Sequence, residues 1–253
     1  MPEAPQPPES SATRAEVIAL IAAARAEGHD ALVVFDLDGT LYDNSHRTLR
    51  ILQEYAHTHA GRQRAFYERL RHVAPRDLVY RVEETVRMLG FGDEALIAEV
   101  TAFWQARFFT GAYCLYDLPL AGAREFVALV YEAGGVPTYL TGRDAPNMLA
   151  GTLEALQRDG FPVGRVDTRI ILKPHFDLDD IAFKASVISQ LARTGRVVAS
   201  FDNEPGLCNL FKEAFPAAVV AWLRTGHAPG APSLRGDVLH LEDFASLLPP
   251  GSV

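Results

Sequence analysis

Five consecutive apolar residues, Ala31, Leu32, Val33, Val34 and Phe35, run directly into Asp36-Leu37-Asp38-Gly39-Thr40-Leu41, and no other stretch restricts the fold of this chain as much. A strand that is apolar on both faces has to be covered on both faces, which points to a parallel sheet between layers of helices. The run stops where the acids begin, so both carboxylates fall at the carboxyl edge of the sheet. Open α/β sheets bind their ligands at that edge. Gly39 lets the backbone turn tightly there or approach a ligand closely.

Two carboxylates at one strand end repel one another and raise each other's pKa. A hard divalent cation such as Mg2+ lets both stay ionised and leaves one free to attack as a nucleophile. Taken alone, the hexapeptide is equally compatible with a turn carrying solvated acids. The rest of the chain has to decide.

Further strands are expected over 136–140, 169–172, 196–201 and 218–223, with a short last one at 238–241. Helical patterns over 121–133, 145–159, 180–193 and 205–214 separate them, and strands alternating with helices predict an α/β fold. Ahead of the first strand, Thr13 and Glu16 form a capping box, Val17, Ile18, Leu20 and Ile21 supply an apolar stripe, and Gly28 ends the helix. Residues 1–12, rich in proline and small polar residues, read as a disordered tail.

One interval breaks the alternation. Between Tyr42 and Leu118 the apolar and aromatic positions recur at helical spacing, over roughly 44–60, 62–73, 76–89 and 93–109. This is an all-helical insertion after the first strand, leaving and re-entering the sheet beside the two aspartates and so placed to cover them as a lid. The expected organisation is a core of residues 13–43 and 118–253 with a helical cap over 44–117.

Length and charge bound the rest. With 253 residues the chain can build one sizeable core or a core plus a smaller unit, and its net charge of −8 argues against a protein that coats nucleic acid or an acidic membrane. Cys114 and Cys208 lie far apart without metal-ligand spacing and read as buried thiols. The N-terminus has no basic start or apolar core, and no apolar run is long enough to span a bilayer, so a cytoplasmic location is the expectation. The oligomeric state, monomer or dimer, is not legible. Arg62, Arg64, Arg69, Arg71, Arg76, Arg81 and Arg87 make the insertion locally basic, and pairing with Glu68, Glu83 and Glu84 accounts for them better than a polyanionic substrate does.

If the strands share one parallel sheet, whatever follows each of them gathers at one edge. The strand at 136–140 leads into Thr141-Gly142-Arg143, a hydroxyl and a small residue ahead of a helix N-terminus that favours anions; Thr141 as a plain helix cap is the alternative. The strand at 196–201 leads into Asp202-Asn203-Glu204-Pro205, another acid at a strand end, or else an acidic turn before a proline-started helix. Lys184, near the start of a helix, and Lys173, closing a strand, compete for the role of neutralising a phosphate.

In this order the segments resemble the haloacid dehalogenase superfamily, whose phosphatases carry four short motifs on a Rossmann-like sheet. Asp36-Leu37-Asp38-Gly39-Thr40-Leu41 matches the first motif, Thr141-Gly142-Arg143 the second and Asp202 the acidic fourth, over about 31–43 and 119–224. The resemblance implies a Mg2+-dependent phosphatase acting on a small phosphorylated molecule. Asp36 would be the nucleophile that takes the phosphoryl group, and Asp38 would protonate the leaving oxygen and then activate water. Mg2+ would be held by Asp36, the Asp38 backbone carbonyl and Asp202, with Asn203 or Glu204 reaching it through water. Thr141 and Gly142 would bind the phosphate, and Lys184, with Lys173 as rival, would neutralise it. The fourth motif departs from the common pattern, since Asp202 is followed by Asn203 rather than a second acid. A phosphomutase of the same superfamily, or a non-catalytic binding protein keeping the fold, are the competing readings.

Overall fold

A computed structural model of the chain describes residues 9–249 and 251. In chain order its elements are α1 (Glu9–Ala26), β1 (Ala31–Phe35), β2 (Tyr42–Asp43), α2 (Ser45–Thr58), α3 (Arg64–Leu70), α4 (Val82–Met88), α5 (Glu94–Phe108), β3 (Leu118–Pro119), α6 (Ala123–Glu132), β4 (Val136–Asp144), α7 (Ala145–Arg158), β5 (Arg169–Lys173), α8 (Asp180–Thr194), β6 (Arg196–Asp202), α9 (Pro205–Ala214), β7 (Val219–Leu223) and β8 (Leu239–Leu241). Short 3-10 turns occur at Pro75–Asp77, Gly111–Tyr116 and Ala245–Leu247.

The principal sheet has six strands in the order β5-β4-β1-β6-β7-β8, all parallel. Its apolar central strand explains the layering. Ala31, Val33 and Phe35 face one side, where Val17 and Ile21 of α1 and Phe126 and Val130 of α6 cover them. Leu32 and Val34 face the other, against Phe183, Val187 and Leu191 of α8 and Cys208 and Phe211 of α9. Phe35 stacks on Phe201 of β6 at 5.1 Å, and Phe126 meets Phe201 edge-on at 5.3 Å. Each such buried side chain contributes roughly 1.5–3 kcal/mol relative to exposure. Cys114 and Cys208 are buried free thiols, and no helix among the described residues is long and apolar enough to cross a membrane.

The chain runs from β1 to β4 and β5 on one side, then returns to β6, β7 and β8 on the other. The order therefore reverses beside β1, and the crevice that ligands use in such sheets opens at its carboxyl end. Asp36 stands there, flanked by the ends of β4 and β6.

Between β1 and β4, helices α2 to α5 pack around their own core of Leu52, Tyr55, Phe66, Leu70, Val86 and Val100. The two ends of this insertion are joined by an antiparallel ribbon, with Tyr42 opposite Pro119 and Asp43 opposite Leu118. A second junction lies where the Gly111–Tyr116 turn crosses α7. A methyl group on Gly151 would sit 2.0 Å from the Gly111 carbonyl oxygen and 2.4 Å from its Cα, so only hydrogen fits between these backbones.

Three expectations are corrected. Of the tail expected over 1–12, residues 1–8 lie outside the described residues, but 9–12 belong to α1, and Thr13 is buried within that helix rather than capping it. Serine and alanine tolerate helical backbone, so the hydrogen bonding continues through them. The helix expected over 76–89 is a 3-10 turn, an irregular segment over 78–81 and then α4. Thr85 Oγ1 accepts from Val79 N at 3.1 Å and donates to Val79 O at 3.4 Å, satisfying backbone groups that a helix would otherwise pair. Finally, β4 extends beyond 140 to Asp144, with a register irregularity between Thr141 and Asp144.

Replacing Gly151 with alanine tests the second junction. Alanine favours the helix by about 1 kcal/mol, but forcing two backbones apart costs about 1–3 kcal/mol or more. Gly151→Ala is expected to lower stability in urea unfolding, by a net of up to about 2 kcal/mol or more; a stability raised by about 1 kcal/mol, the helix gain alone, would show that the two backbones are not in contact.

Candidate active site

Asp36 is the first residue past β1, its amide donating to Phe201 O of β6 at 3.0 Å. Its carboxylate is buried: Oδ1 accepts from Lys184 Nζ at 2.7 Å and Oδ2 from Thr40 Oγ1 at 3.2 Å. The same ammonium donates to Asp202 Oδ2 at 2.8 Å, so Lys184 lies between the two acids. It is placed there by α8, whose first turn is capped by Asp179 Oδ1 accepting from Ala182 N at 2.9 Å. Burial, the largest influence, pushes the Asp36 carboxyl up to about 7; Lys184 opposes that rise and Asp202 adds to it. Burial pulls the Lys184 ammonium down, but Asp202 and Asp36 outweigh it and hold the group above its ordinary value.

Asp38 is held differently. Arg143 Nε donates to its Oδ2 at 2.7 Å and Arg143 Nη2 to its Oδ1 at 2.8 Å, a two-pronged contact, and Arg47 Nη2 also donates to Oδ1. Burial favours its neutral form, yet the two guanidinium groups prevail and hold the carboxyl well below the usual carboxylate range. Both arginines also bind Asp117, Arg47 through Nε at 2.8 Å and Arg143 through Nη2 at 2.8 Å.

Thr141 is buried at the end of the regular part of β4, its Oγ1 accepting from Arg143 N at 3.2 Å. It does not cap the following helix; Asp144 does, with Oδ2 accepting from Asn147 N at 3.1 Å. A methyl group on Gly142 would lie 2.2 Å from Asp180 Oδ2, so this glycine admits a close approach of the α8 start. Asn203 and Glu204 are engaged in holding the loop after β7: Asn203 Nδ2 donates to Gly226 O at 2.6 Å, and Glu204 Oε1 accepts from Ala228 N at 3.0 Å. Asn203 Oδ1 additionally accepts from Thr40 Oγ1 at 3.3 Å. Gly39, at φ +79°, fits here because a side chain would strike Asn203 Nδ2 at 2.4 Å.

The two lysines separate cleanly. Lys173 donates to Phe176 O at 3.1 Å, Leu178 O at 2.8 Å and Asp180 Oδ1 at 2.6 Å, gathering the loop between β5 and α8 around its ammonium. Lys184 alone touches Asp36 and Asp202.

Could these residues hold a cation? Asp36 and Asp202 are two buried carboxylates sharing one ammonium, which leaves negative charge in excess, whereas the charge of Asp38 is already matched by arginine. That oxygen set suits Mg2+, which binds through one or two carboxylates and keeps several waters. Among the described residues no three His, Cys, Asp or Glu side chains converge on one point. A site built here would thus combine the two carboxylates with backbone carbonyl and solvent oxygens.

Asp36 and Asp38 open onto a cleft of about 1470 Å3. One wall is the sheet edge; the other is the insertion, with Tyr80, Arg81, Trp104 and Phe108. Most of the insertion's arginines are paired, Arg64 and Arg71 with Glu68, Arg87 with Glu94 and Arg62 with Glu99, so Glu94 and Glu99 take the place expected for Glu83 and Glu84. Sequence reasoning missed Arg47 and the buried side chain of Asp117. An arginine at the start of an amphipathic helix and an acid in a linker carry no signal of a contact between residues 70 positions apart.

Residues 31–198 match the family model of the haloacid dehalogenase-like hydrolases. Solved structures share the fold. A candidate phosphatase from Clostridium difficile is 13% identical, with 87% of this chain and 92% of that chain covered and a TM-score of 0.51. Protein Tyrosine Kinase A (PtkA) of Mycobacterium tuberculosis is 17% identical, covering 87% and 96% at a TM-score of 0.51. A haloacid dehalogenase-like hydrolase from Bacteroides fragilis is 12% identical, covering 87% and 100% at 0.50. No curated protein matches the chain with significance.

Lys184→Met removes one partner from a buried charge cluster, a change that typically costs about 3–5 kcal/mol. Urea unfolding at neutral pH in the presence of a chelator is expected to show a loss of that size. A loss below about 1 kcal/mol, the level of an exposed pair, would contradict a central role for this ammonium.

Proposed function

The chain belongs to the haloacid dehalogenase-like hydrolases, and from that premise we propose that it is a Mg2+-dependent phosphatase cleaving a small phosphate monoester through an aspartyl-phosphate at Asp36. The observation that carries the reading is the placement of Asp36: a buried carboxylate at the switch point of a parallel sheet, sharing Lys184 with Asp202 and facing the cleft. Phosphoryl transfer asks the protein for positioning and charge stabilisation, and this edge supplies both.

In this scheme Asp36 attacks the phosphorus. The bond to the leaving oxygen breaks, and that oxygen takes the proton that Asp38 gains from the substrate's phosphate hydroxyl as substrate entry loosens its arginine contacts. Asp38 then accepts a proton from water as the water attacks the phosphorus, which releases inorganic phosphate and restores Asp36. The Thr141 hydroxyl, which already accepts from Arg143 N, keeps its own hydrogen to donate to a phosphate oxygen. The Gly142 amide joins it, and Lys184 offsets the charge of the phosphoryl group. Mg2+, held by Asp36, Asp202 and the Asp38 carbonyl, would supply further positive charge to the phosphate oxygens. The helical insertion acts as a cap, bringing Tyr80 and Arg81 to the mouth of the cleft. Its boundaries follow the ribbon, with 44–117 as cap and 13–43 with 118–253 as core.

The test is hydrolysis of an aryl phosphate with and without Mg2+, by the unsubstituted chain and by Asp36→Asn. Turnover that requires Mg2+ and falls by about 10³-fold or more in the variant is expected, as for loss of a nucleophile. Turnover that survives Asp36→Asn would overturn the assignment.

A further inference from the structure

In phosphoryl transfer the attacking and leaving oxygens lie roughly in line. With Asp36 attacking from the sheet edge, the alcohol departs on the far side, toward the wall that the insertion contributes to the cleft. That wall carries rings. Trp104 and Phe108, near the end of α5, and Phe109 just beyond it line the cleft and are half-buried. The Trp104 and Phe108 centroids lie 4.5 Å apart with their planes 32° from parallel, and Phe109 meets Phe108 edge-on at 5.1 Å and Trp104 edge-on at 5.8 Å. Phe176, on the loop between β5 and α8, meets Phe109 edge-on at 5.1 Å and braces the cluster from the sheet side.

The polar groups beside these rings are already engaged. Trp104 Nε1 donates to Thr48 Oγ1 at 3.2 Å, and the Arg47 guanidinium stands 4.0 Å over the Phe108 ring while it binds Asp38 and Asp117. A cationic group brought to the same rings would meet that guanidinium. A second anionic group meets no surplus of positive charge: Arg87 is paired with Glu94, and Arg76 and Arg81 are matched in number by Glu83 and Glu84, which line the cleft with them. A polyhydroxylated group would turn its hydroxyls toward carbon and lose hydrogen bonds to water. A flat apolar ring suits this wall, because its face stacks on an aromatic face without asking for a polar partner. The wall is also ordered in advance, each of its rings being held by another, so stacking on it requires no further ordering of side chains. At about 1470 Å3 the cleft exceeds the roughly 300–1,000 Å3 usual for small-molecule sites and has room for a ring behind the phosphate.

We propose that the substrate is a phosphate monoester whose alcohol carries an aromatic or otherwise planar ring, and that Trp104, backed by Phe108 and Phe109, is the specificity-determining surface on which that ring stacks. The inference rests on the reading of Asp36 as the nucleophile, since the position of the attacking oxygen gives the leaving group its direction. Stacking tolerates many rings, so this wall selects a shape rather than one compound.

The experiment measures kcat/KM in Mg2+ for esters of primary alcohols, whose leaving alkoxides are chemically alike: 2-phenylethyl, 2-cyclohexylethyl and propyl phosphate, glucose 6-phosphate and choline phosphate. With the unsubstituted chain the 2-phenylethyl ester is expected to exceed the propyl ester about 10-fold or more, the size of one ring stacked on an aromatic side chain. It is expected to exceed the cyclohexyl ester, of similar bulk but not flat, by about threefold. Trp104→Leu is expected to cost the 2-phenylethyl ester about 10-fold more than the propyl ester, and Trp104→Phe, which also loses the bond to Thr48 but keeps an aromatic face, to restore most of that difference. Equal rates for the phenyl and cyclohexyl esters, a preference for glucose 6-phosphate or choline phosphate, or a Trp104→Leu loss that is the same on every ester overturns the inference and leaves the phosphatase reading intact. Absence of turnover of every ester by the unsubstituted chain removes the phosphatase reading and the inference together. Where Trp104→Leu does not fold, the ester series on the unsubstituted chain decides.

Discussion

The site depends on one ammonium group. Lys184 Nζ lies 2.7 Å from Asp36 and 2.8 Å from Asp202, and without it two buried carboxylates would face one another across adjacent strands with no compensating charge. The cost of desolvating such groups is several kcal/mol each, and the rise of the Asp36 carboxyl to about 7 shows how far burial dominates even with the lysine present. The fold supports this lysine at every level. Leu32 and Val34 of β1 pack on Phe183 and Val187, the residues that flank Lys184 on α8, so the packing that buries the strand also delivers the ammonium to its end.

Two electrostatic units therefore stand two residues apart in sequence and are built on different logic. Asp36 belongs to the sheet, with its neighbours on β6 and α8, and carries excess negative charge that a cation can complete. Asp38 belongs to the junction with the insertion, where arginines match its charge. The turn that follows both acids needs Gly39, whose left-handed backbone and lack of a side chain let Asn203 approach. In the proposed mechanism the excess charge at Asp36 has a use, since the nucleophile needs a compensating cation.

Much of this was legible from residues alone. An apolar run ending in Asp36 identified the central strand, and Thr141 and Asp202 were found because both follow strands of a parallel sheet, whose carboxyl ends must share an edge. Helix boundaries were legible where the apolar period was clean, as in α7, and failed where a side chain satisfied the backbone instead, as Thr85 does for Val79. The choice between Lys184 and Lys173 was open in the sequence because both are single lysines beside a strand or helix end. Only contacts separate them, the Asp36 and Asp202 carboxylates for one and two loop carbonyls with Asp180 for the other. Arg47 and Asp117 were invisible for a related reason: a buried ion pair between distant segments has no periodicity and no motif.

The central claim is that Asp36 takes the phosphoryl group. Acid quenching during turnover of an aryl phosphate, followed by peptide mass spectrometry, tests it most directly, because an acyl phosphate survives acid long enough to be located. The account predicts a phosphoryl group on the peptide that carries Asp36, formed within a single turnover and lost on longer incubation. Rapid release of phosphate with no phosphorylated peptide at any time, or a phosphoryl group found on another residue, would contradict it.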